Sequence, residues 1–433
     1  MSARILLILL LVIGVLYGLM TMYIAAQQRK KPLPAEVADI YDADRYQKYL
    51  SYVADHRKAG LIVSAVNLAI STALYLSGLY AHIEQLTGNP FLIFFLTQVV
   101  FWIISTVIDV IDDYHDTFVI DERYGLNKQD RRGFVKDKTL DILLELVLMC
   151  GLGALVVFIG EHMSQWTNGF SVSLGNAVLI ALIITAAVAI FVVGAALLSL
   201  WVMKRQYTFT PLPDGPLRDK IVQLQASSKK KVKIINVYDE SKKSTSKNAF
   251  LLRFLWHREF GIADNFINEN AEDELLGVLS HEIGHLKHKK NMLNYLSYAF
   301  LALLFVLAVM VIHKPGFVLS MNAWIRDSFG ITANNYYLII TVYASILAPV
   351  GKAIAIFRNY RSRREEHEAD REAVANGYGE ALIRTFKKLS SDELVNVNPH
   401  PLIEFLEYDH PGMYQRIKAI REAENGRKTQ HGL

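Results

Sequence analysis

Long apolar segments alternate with polar segments along the whole chain. Seven of the apolar segments have the roughly 20 residues that a helix needs to cross the ~30 Å hydrocarbon core of a bilayer. They are Ile5–Ala26, Gly60–Tyr80, Phe91–Ile111, Leu140–Gly160, Ala177–Met203, Tyr295–His313 and Tyr336–Phe357. The pattern predicts a mainly α, polytopic membrane protein with about seven transmembrane helices.

The first apolar segment has two features of a signal peptide, since Arg4 precedes a Leu/Ile run and small residues follow at Ala25–Ala26. Its length and the basic cluster after it favour an uncleaved membrane anchor instead. That cluster, Arg29-Lys30-Lys31, predicts that the N-terminus of the anchor lies outside.

The basic residues of the loops are distributed unevenly between the two sides of the predicted bundle. Residues 27–59 contain seven Lys and Arg residues and residues 113–138 contain six, whereas the loops after the second and fourth spans contain none. Lys314 and Arg326, in the loop after the sixth span, are the exceptions. By the positive-inside rule the odd-numbered spans end in the cytoplasm.

This topology divides the chain into four parts. Residues 1–203 hold the first five spans, residues 204–294 form a polar part, residues 295–357 hold the sixth and seventh spans, and residues 358–433 form a second polar part. Both polar parts are then expected on the cytoplasmic face of a bacterial inner membrane or an endoplasmic reticulum membrane.

The first polar part has signals for a small mixed domain. A helix is predicted at Pro216–Ala226, after the Pro-rich exit from the fifth span. Val232–Tyr238 partly alternates between apolar and polar residues and predicts a strand, and Asn248–Leu255 predicts a second strand.

Two polar helices are predicted with defined ends. Ala271–Lys290 has Asn270 as a candidate N-cap, acidic residues in its first turn and lysines in its last, which suits the helix dipole. The second helix continues the seventh span through Arg361–Ala375 and is expected to end at Asn376-Gly377.

The first of these helices contains the sequence His281-Glu282-Ile283-Gly284-His285. Histidines four residues apart lie on one helical face, so that both imidazoles can bind one tetrahedral Zn²⁺. Glu282 projects to the side and is placed to accept a proton from a metal-bound water and to pass it to a leaving amine. The motif predicts a zinc-dependent hydrolase.

A third protein ligand is expected from the second polar helix. Glu366 and Asp370 are four residues apart and share a face, so Glu366 could bind zinc while Asp370 accepts a hydrogen bond from a ligand histidine. Spacing alone leaves Glu365 and Glu368 as alternative ligands. Both polar helices emerge on the same predicted membrane face, which allows them to share one metal ion.

Composition excludes several other classes of protein. The chain is 52% hydrophobic with a mean hydropathy of +0.22, which is high for a soluble enzyme. Cys150 is its single cysteine, so neither an internal disulfide nor a cysteine-bound metal cluster is possible. A formal charge of +4 is too small to indicate nucleic-acid binding.

In the histidine motif and in several other blocks, the chain resembles the type I CAAX prenyl proteases. These are seven-span membrane zinc metalloproteases related to the bacterial heat-shock protease HtpX. The similar blocks are Thr117–Gln129, Phe209–Gly215, Ser246–Phe250, His281–His285, Glu366–Asp370, and His410-Pro411 followed by Arg416. The resemblance implies a gluzincin-type protease domain, helical with a small β-sheet, that is split between residues 204–294 and 358–433.

The resemblance also implies roles for individual residues. Glu366 becomes the third ligand of one zinc ion per chain, with Asp370 behind the ligands. Asn248 and Ala249 lie on the strand along which a substrate backbone pairs, and His410 and Arg416 stabilise the developing oxyanion. The implied partners are the lipid bilayer and a peptide or protein substrate, which may carry a lipidated C-terminal peptide, while the helices surround an intramembrane chamber.

The chain departs from the family pattern at several positions. Leu252-Arg253-Phe254 stands where the family usually has a glycine, and Phe260–Ile267 is looser than the corresponding family strand. A second proline is missing after His410-Pro411, and Gln415 replaces an acidic residue. These departures leave the metal-binding residues intact and concern substrate preference.

Three alternative functions compete with that of a zinc endopeptidase that processes C-terminal peptides. An HtpX-like quality-control protease would use the same site on unfolded membrane proteins. A non-catalytic zinc-binding scaffold is less consistent with three ligands and no cysteine, because structural zinc sites usually have four ligands. Asp109 and Glu145 could suggest a transporter, but they lie near the inner ends of their spans and no repeated half-helices are present.

Overall fold

The computed structural model describes residues 1–167, 173–226, 231–254, 257–287, 307, 309–311 and 313–431. In this part of the chain six helices are long and apolar enough to cross a membrane. They correspond to the first five predicted spans and the seventh. The predicted sixth span, Tyr295–His313, lies mostly outside the described residues, so a count of seven spans stays a prediction.

The N-terminal half is a series of long helices. Their bounds are α1 Ala3–Gln28, α2 Ala43–Leu76, α3 Leu79–Leu86, α4 Pro90–His115, α5 Arg131–Thr167 and α6 Leu174–Gln206. Side chains with oxygen acceptors fix several of the starts, because Ser2, Asp42, Asn89 and Ser173 each accept a hydrogen bond from a backbone N–H in the first turn. After α4 the chain forms a π-helical segment, Asp116–Asp121, and a single turn, Glu122–Tyr124, which Gly125 ends at φ 74°.

The second span ends earlier than the apolar pattern predicts. The helix stops at Leu76, because Ser77 adopts an extended conformation, and Tyr80 lies in the separate short helix α3. Tyr80 is fully buried, with its ring 4.8 Å from that of Phe329 in an edge-to-face contact. The predicted end at Tyr80 is therefore wrong, since this residue closes the end of the bundle instead of extending the span.

The first polar part forms a four-stranded sheet. Its strands are β1 Phe209–Pro211, β2 Ile234–Tyr238, β3 Ala249–Phe254 and β4 His257–Ala263, in the order β1-β2-β4-β3. The pairs β1/β2 and β3/β4 are antiparallel, whereas β2/β4 is parallel. Local alternation predicts β2 and β3 but neither β1 nor β4, although the family resemblance places a strand at Phe260–Ile267 that overlaps β4.

Both missed strands lack the alternation that predicts a strand. β1 has three residues and ends in a proline at the sheet edge. β4 is buried along most of its length on both faces, so its sequence does not alternate, and it ends at Ala263 rather than continuing to Ile267. Position 261 in this strand requires glycine, because a Cβ there would lie 2.3 Å from the ring of Phe250.

Helices cover the sheet and carry the metal-binding motif. They are α7 Pro216–Leu224, α8 Asp264–Glu269 and α9 Glu272–Lys287, with a 3₁₀ turn at Glu240–Lys242. Leu279 and Ile283 of α9 are fully buried in one cluster with Phe260 and Ile262 of β4. This apolar contact fixes α9 on the sheet and leaves its histidine face directed away from it.

The C-terminal half consists of five helices within the described residues. They are α10 Gly316–Phe329, α11 Tyr336–Ala375, α12 Gly379–Asp392, α13 Pro401–Glu407 and α14 Met413–His431. The loop predicted after the sixth span is wrong for the residues of α10, which form a helix. The predicted continuation of the seventh span is confirmed: α11 runs for 40 residues to Ala375, with Asn376 as its C-cap and Gly377 at φ 88°.

The loops rich in lysine and arginine pack against the C-terminal polar helices. Val37, Ile40 and Tyr41 share a buried cluster with residues of α11, α12 and α14. The Tyr41 hydroxyl lies 2.8 Å from the carbonyl oxygen of Ser390, and Lys128 N–H donates to the Lys243 carbonyl at 3.0 Å. Both basic loops and both polar parts therefore lie at the same end of the helix bundle.

Candidate metal centre

The helix that carries the histidine motif starts with an acidic turn. The Glu274 carboxylate reaches back and accepts hydrogen bonds from Asn270 Nδ2 at 3.0 Å and from Ala271 N–H at 3.3 Å. Glu274 thus caps the helix, in place of the Asn270 side chain that the sequence suggested. The predicted residues 288–290 lie outside the described part of the chain, whose helix runs to Lys287.

Gly284 allows α9 and α11 to approach each other closely. A Cβ at Gly284 would lie 2.8 Å from Ala369 Cα and 3.1 Å from Ala369 Cβ. Ala369 itself is fully buried. The close approach brings the face of α11 that carries Glu366 and Asp370 against the histidine face of α9.

His281, His285 and Glu366 meet at this helix contact. Glu366 Oε2 lies 3.4 Å from His281 Nε2, and Glu366 Oε1 lies 3.2 Å from His285 Nε2. One ligand atom from each residue lies within 4.8 Å of the others. The two imidazole planes are 86° apart, so their lone pairs converge from different directions.

These residues fit a zinc ion by their chemistry. Two imidazole nitrogens and a carboxylate oxygen are the donors of many catalytic zinc sites, which keep a further position for water or substrate. Glu366 Oε2 is buried, and its contacts with His281 Nε2 and Arg416 Nη1 are both long at 3.4 Å, so a metal ion between the ligands would satisfy this oxygen better. The structure thereby favours Glu366 over Glu365 and Glu368, neither of which joins the His281–His285 group.

Asp370 orients His281 from behind. His281 Nδ1 lies 2.9 Å from Asp370 Oδ1, which leaves Nε2 of the same ring free to face Glu366 and His285. Burial alone would lower the pKa of His281, but its hydrogen bonds to Asp370 and Glu366 outweigh burial and raise that pKa to about 9. The two carboxylates thus stabilise a positive charge at this position, whether a proton or a metal ion supplies it.

Arg416 of α14 is buried beneath the site. Its Nε and Nη2 donate to the two oxygens of Asp370 at 3.0 and 2.6 Å, and Nη1 lies 3.4 Å from Glu366 Oε2. The guanidinium is 4.1 Å from the centre of the Phe386 ring, and the residue is 8% exposed. Since carboxylates occupy its donors, the geometry favours positioning of Asp370 over the direct oxyanion contact that the resemblance implies.

His410 lies at the open side of the site. Its Nε2 is 3.5 Å from Glu366 Oε1, and its Nδ1 is 3.0 Å from Asp409 Oδ1. The His410 side chain is 59% exposed, in contrast to the buried Arg416. An imidazole N–H in this position can reach a bound substrate.

Glu282 lies between the two histidines in sequence and is enclosed by the site. Burial raises the pKa of its carboxyl, while the neighbouring His281 and His285 lower it. A carboxylate with a raised pKa is a stronger base, which suits the acceptance of a proton from water.

Ala249 begins the outer strand of the sheet, and Asn248 lies directly before it. Ala249 is buried and pairs with Ile262 of β4, and the Asn248 carbonyl accepts a hydrogen bond from Ala263 N–H at 2.9 Å. Within the described residues β3 pairs only with β4, so its other edge has no strand beside it. That edge has the unpaired backbone groups that an extended peptide could bind.

Arg253 is a residue near the site that the sequence analysis did not assign to it. Its Nη1 donates to the carbonyl oxygen of His285 at 2.7 Å, and its positive charge is close enough to interact with Glu282 and Glu365. In the sequence, Arg253 stands out only as part of Leu252-Arg253-Phe254, where the family usually has a glycine. This difference does not indicate that the Arg253 side chain reaches the metal site.

Two family models match adjoining parts of the chain. A model described as the CAAX prenyl protease N-terminal domain, with five membrane helices, matches residues 22–192. A model of peptidase family M48 matches residues 211–424, which include every candidate site residue.

Individual proteins match over almost the whole chain. The CAAX prenyl protease 1 homolog of Oryza sativa subsp. japonica is 26% identical over 416 residues, which cover 92% of each protein. The probable CAAX prenyl protease 1 of Schizosaccharomyces pombe is also 26% identical and matches 90% of this chain and 82% of its own. The crystal structure of S. mikatae Ste24p superposes with a TM-score of 0.75 over 97% of this chain and 99% of that chain, at 20% identity, which shows a common fold.

Proposed function

Because the chain belongs to peptidase family M48, with the N-terminal domain of the CAAX prenyl proteases, we propose that this membrane zinc metalloprotease works through one zinc ion held by His281, His285 and Glu366. The observation that supports this site is the convergence of the three ligand atoms within 4.8 Å. The ligands come from residues 204–294 and 358–433, which we propose as two parts of one catalytic domain.

A zinc ion in this site would polarise the scissile carbonyl and make a bound water more acidic. The protein residues then have separate tasks. Glu282 accepts the proton of the attacking water and passes it to the leaving amine. Asp370 holds His281 in the tautomer that presents Nε2, and Arg416 holds Asp370. We assign stabilisation of the oxyanion to His410, whose imidazole faces the open side of the site.

We assign substrate alignment to Asn248 and Ala249 at the outer edge of β3. An extended peptide that adds to this edge gains backbone hydrogen bonds that do not depend on its sequence. The edge lies beside α9, because Arg253 of the same strand contacts His285. A substrate strand there would pass in front of the metal ligands.

The proposed substrate is a C-terminal peptide of CAAX type that a lipid attaches to the bilayer. Relatives that match nearly the whole chain are named CAAX prenyl proteases. A catalytic site that includes α11, which continues from a candidate membrane span, suits a substrate that is held at the same membrane. By the charge of its loops, the catalytic end is proposed to face the cytoplasm.

Purified enzyme given both a prenylated CAAX peptide and an unfolded soluble protein tests this assignment. We expect cleavage of the peptide at its cysteine and little digestion of the unfolded protein. The reverse preference would indicate a quality-control protease. The control is Glu282→Gln, which should keep its zinc and lose cleavage by several orders of magnitude, because an amide cannot accept the proton of water. Near-normal turnover by Glu282→Gln would refute the proposed mechanism.

A further inference from the structure

A polar cavity of about 360 Å³ lies where the two basic loops meet the catalytic domain. Five chain segments form its wall: the start of α2, the turn after the π-helical segment, the residues before β3, helix α8 and the end of α12. Four cationic side chains, Arg45, Lys48, Lys128 and Lys247, line it together with the carboxylates Glu269 and Asp392.

The cavity has an excess of positive charge. Lys247 pairs with Glu269 at 2.9 Å and with Asp392 at 3.2 Å, and Arg45 lies 3.8 Å from Asp392. These contacts use both carboxylates. Lys48 and Lys128 are exposed at the cavity and form no ion pair with any residue that the structure describes. Two ammonium groups thus remain available to an anion.

This cavity lies at one end of the strand that we assign to substrate alignment. Lys247 lies two residues before the start of β3, and its contact with Glu269 places this end of the strand beside the start of α9. At the other end, Arg253 contacts the carbonyl oxygen of His285. Strand β3 and helix α9 therefore run side by side in the same direction.

The spacing of the two elements locates the reaction centre along β3. The six residue steps from Lys247 to Arg253 span roughly 20 Å at ~3.3 Å per step. His281 lies one helical turn, roughly 6 Å, before His285, which corresponds to about two strand residues. A metal ion between the histidines is then level with about Leu251 to Arg253.

A substrate strand antiparallel to β3 would present its C-terminal residues toward the cavity. Its residues after the scissile bond would lie opposite successively earlier residues of β3, ending near Asn248 after about three residues. A CAAX sequence has three residues after its cysteine, and the last of them carries a free carboxylate. The cationic cavity begins at the next position.

We propose that this cavity binds the terminal carboxylate of the substrate, with Lys48 and Lys128 as the groups that recognise it. The inference rests on the proposed function and adds a specificity site to it. Recognition of a carboxylate at a fixed distance from the metal selects cleavage three residues from a C-terminus over cleavage within a chain.

The test compares a CAAX peptide with its C-terminal amide. For the wild-type enzyme we expect KM for the amide to be about 10- to 100-fold higher, with kcat changed less, since a charge-assisted hydrogen bond contributes to binding on that order. The double variant Lys48→Gln/Lys128→Gln should treat the two peptides nearly alike. Lys48→Arg/Lys128→Arg keeps the charge and should retain most of the discrimination.

The matched control is Lys136→Gln/Lys233→Gln, which removes two exposed lysines outside the cavity and should discriminate as the wild type does. Equal KM values for acid and amide in the wild-type enzyme would overturn the carboxylate site, although cleavage of both peptides would leave the protease function intact. Full discrimination by Lys48→Gln/Lys128→Gln would also overturn it.

Discussion

Each candidate ligand of the metal centre is held in place by a different part of the fold. Glu366 is buried between two histidines and Arg416, whereas His285 is more exposed and has its backbone carbonyl bound by Arg253. Removal of one imidazole leaves two donors, which bind zinc weakly. We therefore expect purified His285→Ala to contain much less zinc than the wild type by elemental analysis.

Two variants make that measurement specific. Glu365→Gln removes the neighbouring carboxylate that spacing alone could not exclude as a ligand, and it should keep its zinc. His82→Ala removes an exposed histidine from α3, and this variant should also keep its zinc. A normal zinc content in His285→Ala would exclude this residue from the site.

Asp370 acts on the metal through His281. Asp370→Asn keeps the shape of the side chain but loses the charge that His281 and Arg416 both contact. We expect zinc affinity or activity to fall about 10- to 100-fold, as for other residues that orient a ligand histidine. Competition with a chelator measures the zinc dissociation constant, and a wild-type value together with full activity would contradict this role.

The histidine motif and its third ligand differ in how far sequence alone predicts them. His281, Glu282 and His285 share a helical turn, so their spacing fixes their relative positions. Glu366 comes from another helix, so spacing alone leaves Glu365 and Glu368 as alternatives, and only the family resemblance selects Glu366. Arg253 reaches the site because its side chain is long and because the register of the sheet places it beside His285. A local sequence pattern does not predict either the register or this contact.

At the scale of secondary structure, the contact between α9 and α11 determines whether the site forms. Gly284→Ala would place a methyl group 2.8 Å from Ala369 Cα, which forces the helices apart. We expect unfolding free energy to fall by about 1–3 kcal/mol, as for other overpacked cores, together with the zinc content. Thermal denaturation in detergent measures the first quantity and elemental analysis the second.

Gly426→Ala is the matched control, because a Cβ at Gly426 in α14 meets no atom within 4 Å. Alanine favours a helix over glycine, so this variant should be as stable as the wild type or slightly more stable. If Gly284→Ala matched Gly426→Ala in both stability and zinc content, the close helix contact would not be needed for the site.

The elements that sequence predicted well are those with strong local signals. Long apolar runs, the acidic start of α9 and the Asn-Gly end of α11 all act through neighbouring residues. β4 and α10 were missed because their structure depends on distant partners: β4 is buried by strands on both sides, and Phe329 of α10 is buried against Tyr80. Such contacts are absent from a local sequence window.

At the scale of the whole molecule, shared use of one metal ion requires a specific topology. Glu366 follows His285 by two predicted membrane crossings, so both can reach the same ion only if the chain returns to its original side. The substitution Gly88→Cys, in a Cys150→Ala background, introduces a single cysteine into the predicted external loop after the second span. This cysteine should react with an impermeant thiol reagent in intact cells. Cysteines at Lys231→Cys or Glu422→Cys should react only after permeabilisation.

Gly88 serves as the external reference because a side chain there meets no atom within 4 Å, and Lys231 and Glu422 are both exposed. Labelling of Lys231→Cys and Glu422→Cys from opposite sides would make a shared metal site impossible. Labelling of Lys231→Cys and Glu422→Cys from outside, with Gly88→Cys labelled only after permeabilisation, would reverse the proposed orientation but keep the site.

Helix α11 continues from its apolar, membrane-spanning part to Glu366, so it fixes the distance between the membrane and the metal site. From Phe357, where its apolar run ends, nine residues lead to Glu366, a rise of roughly 13 Å. Helix geometry thus sets the distance between the reaction centre and the bilayer. The peptide segment between the lipid anchor of a substrate and its scissile bond must be long enough to span this distance. One residue inserted into this stretch would turn Glu366 by about 100° away from the histidines, so both the length and the rotational phase of this helix are under constraint.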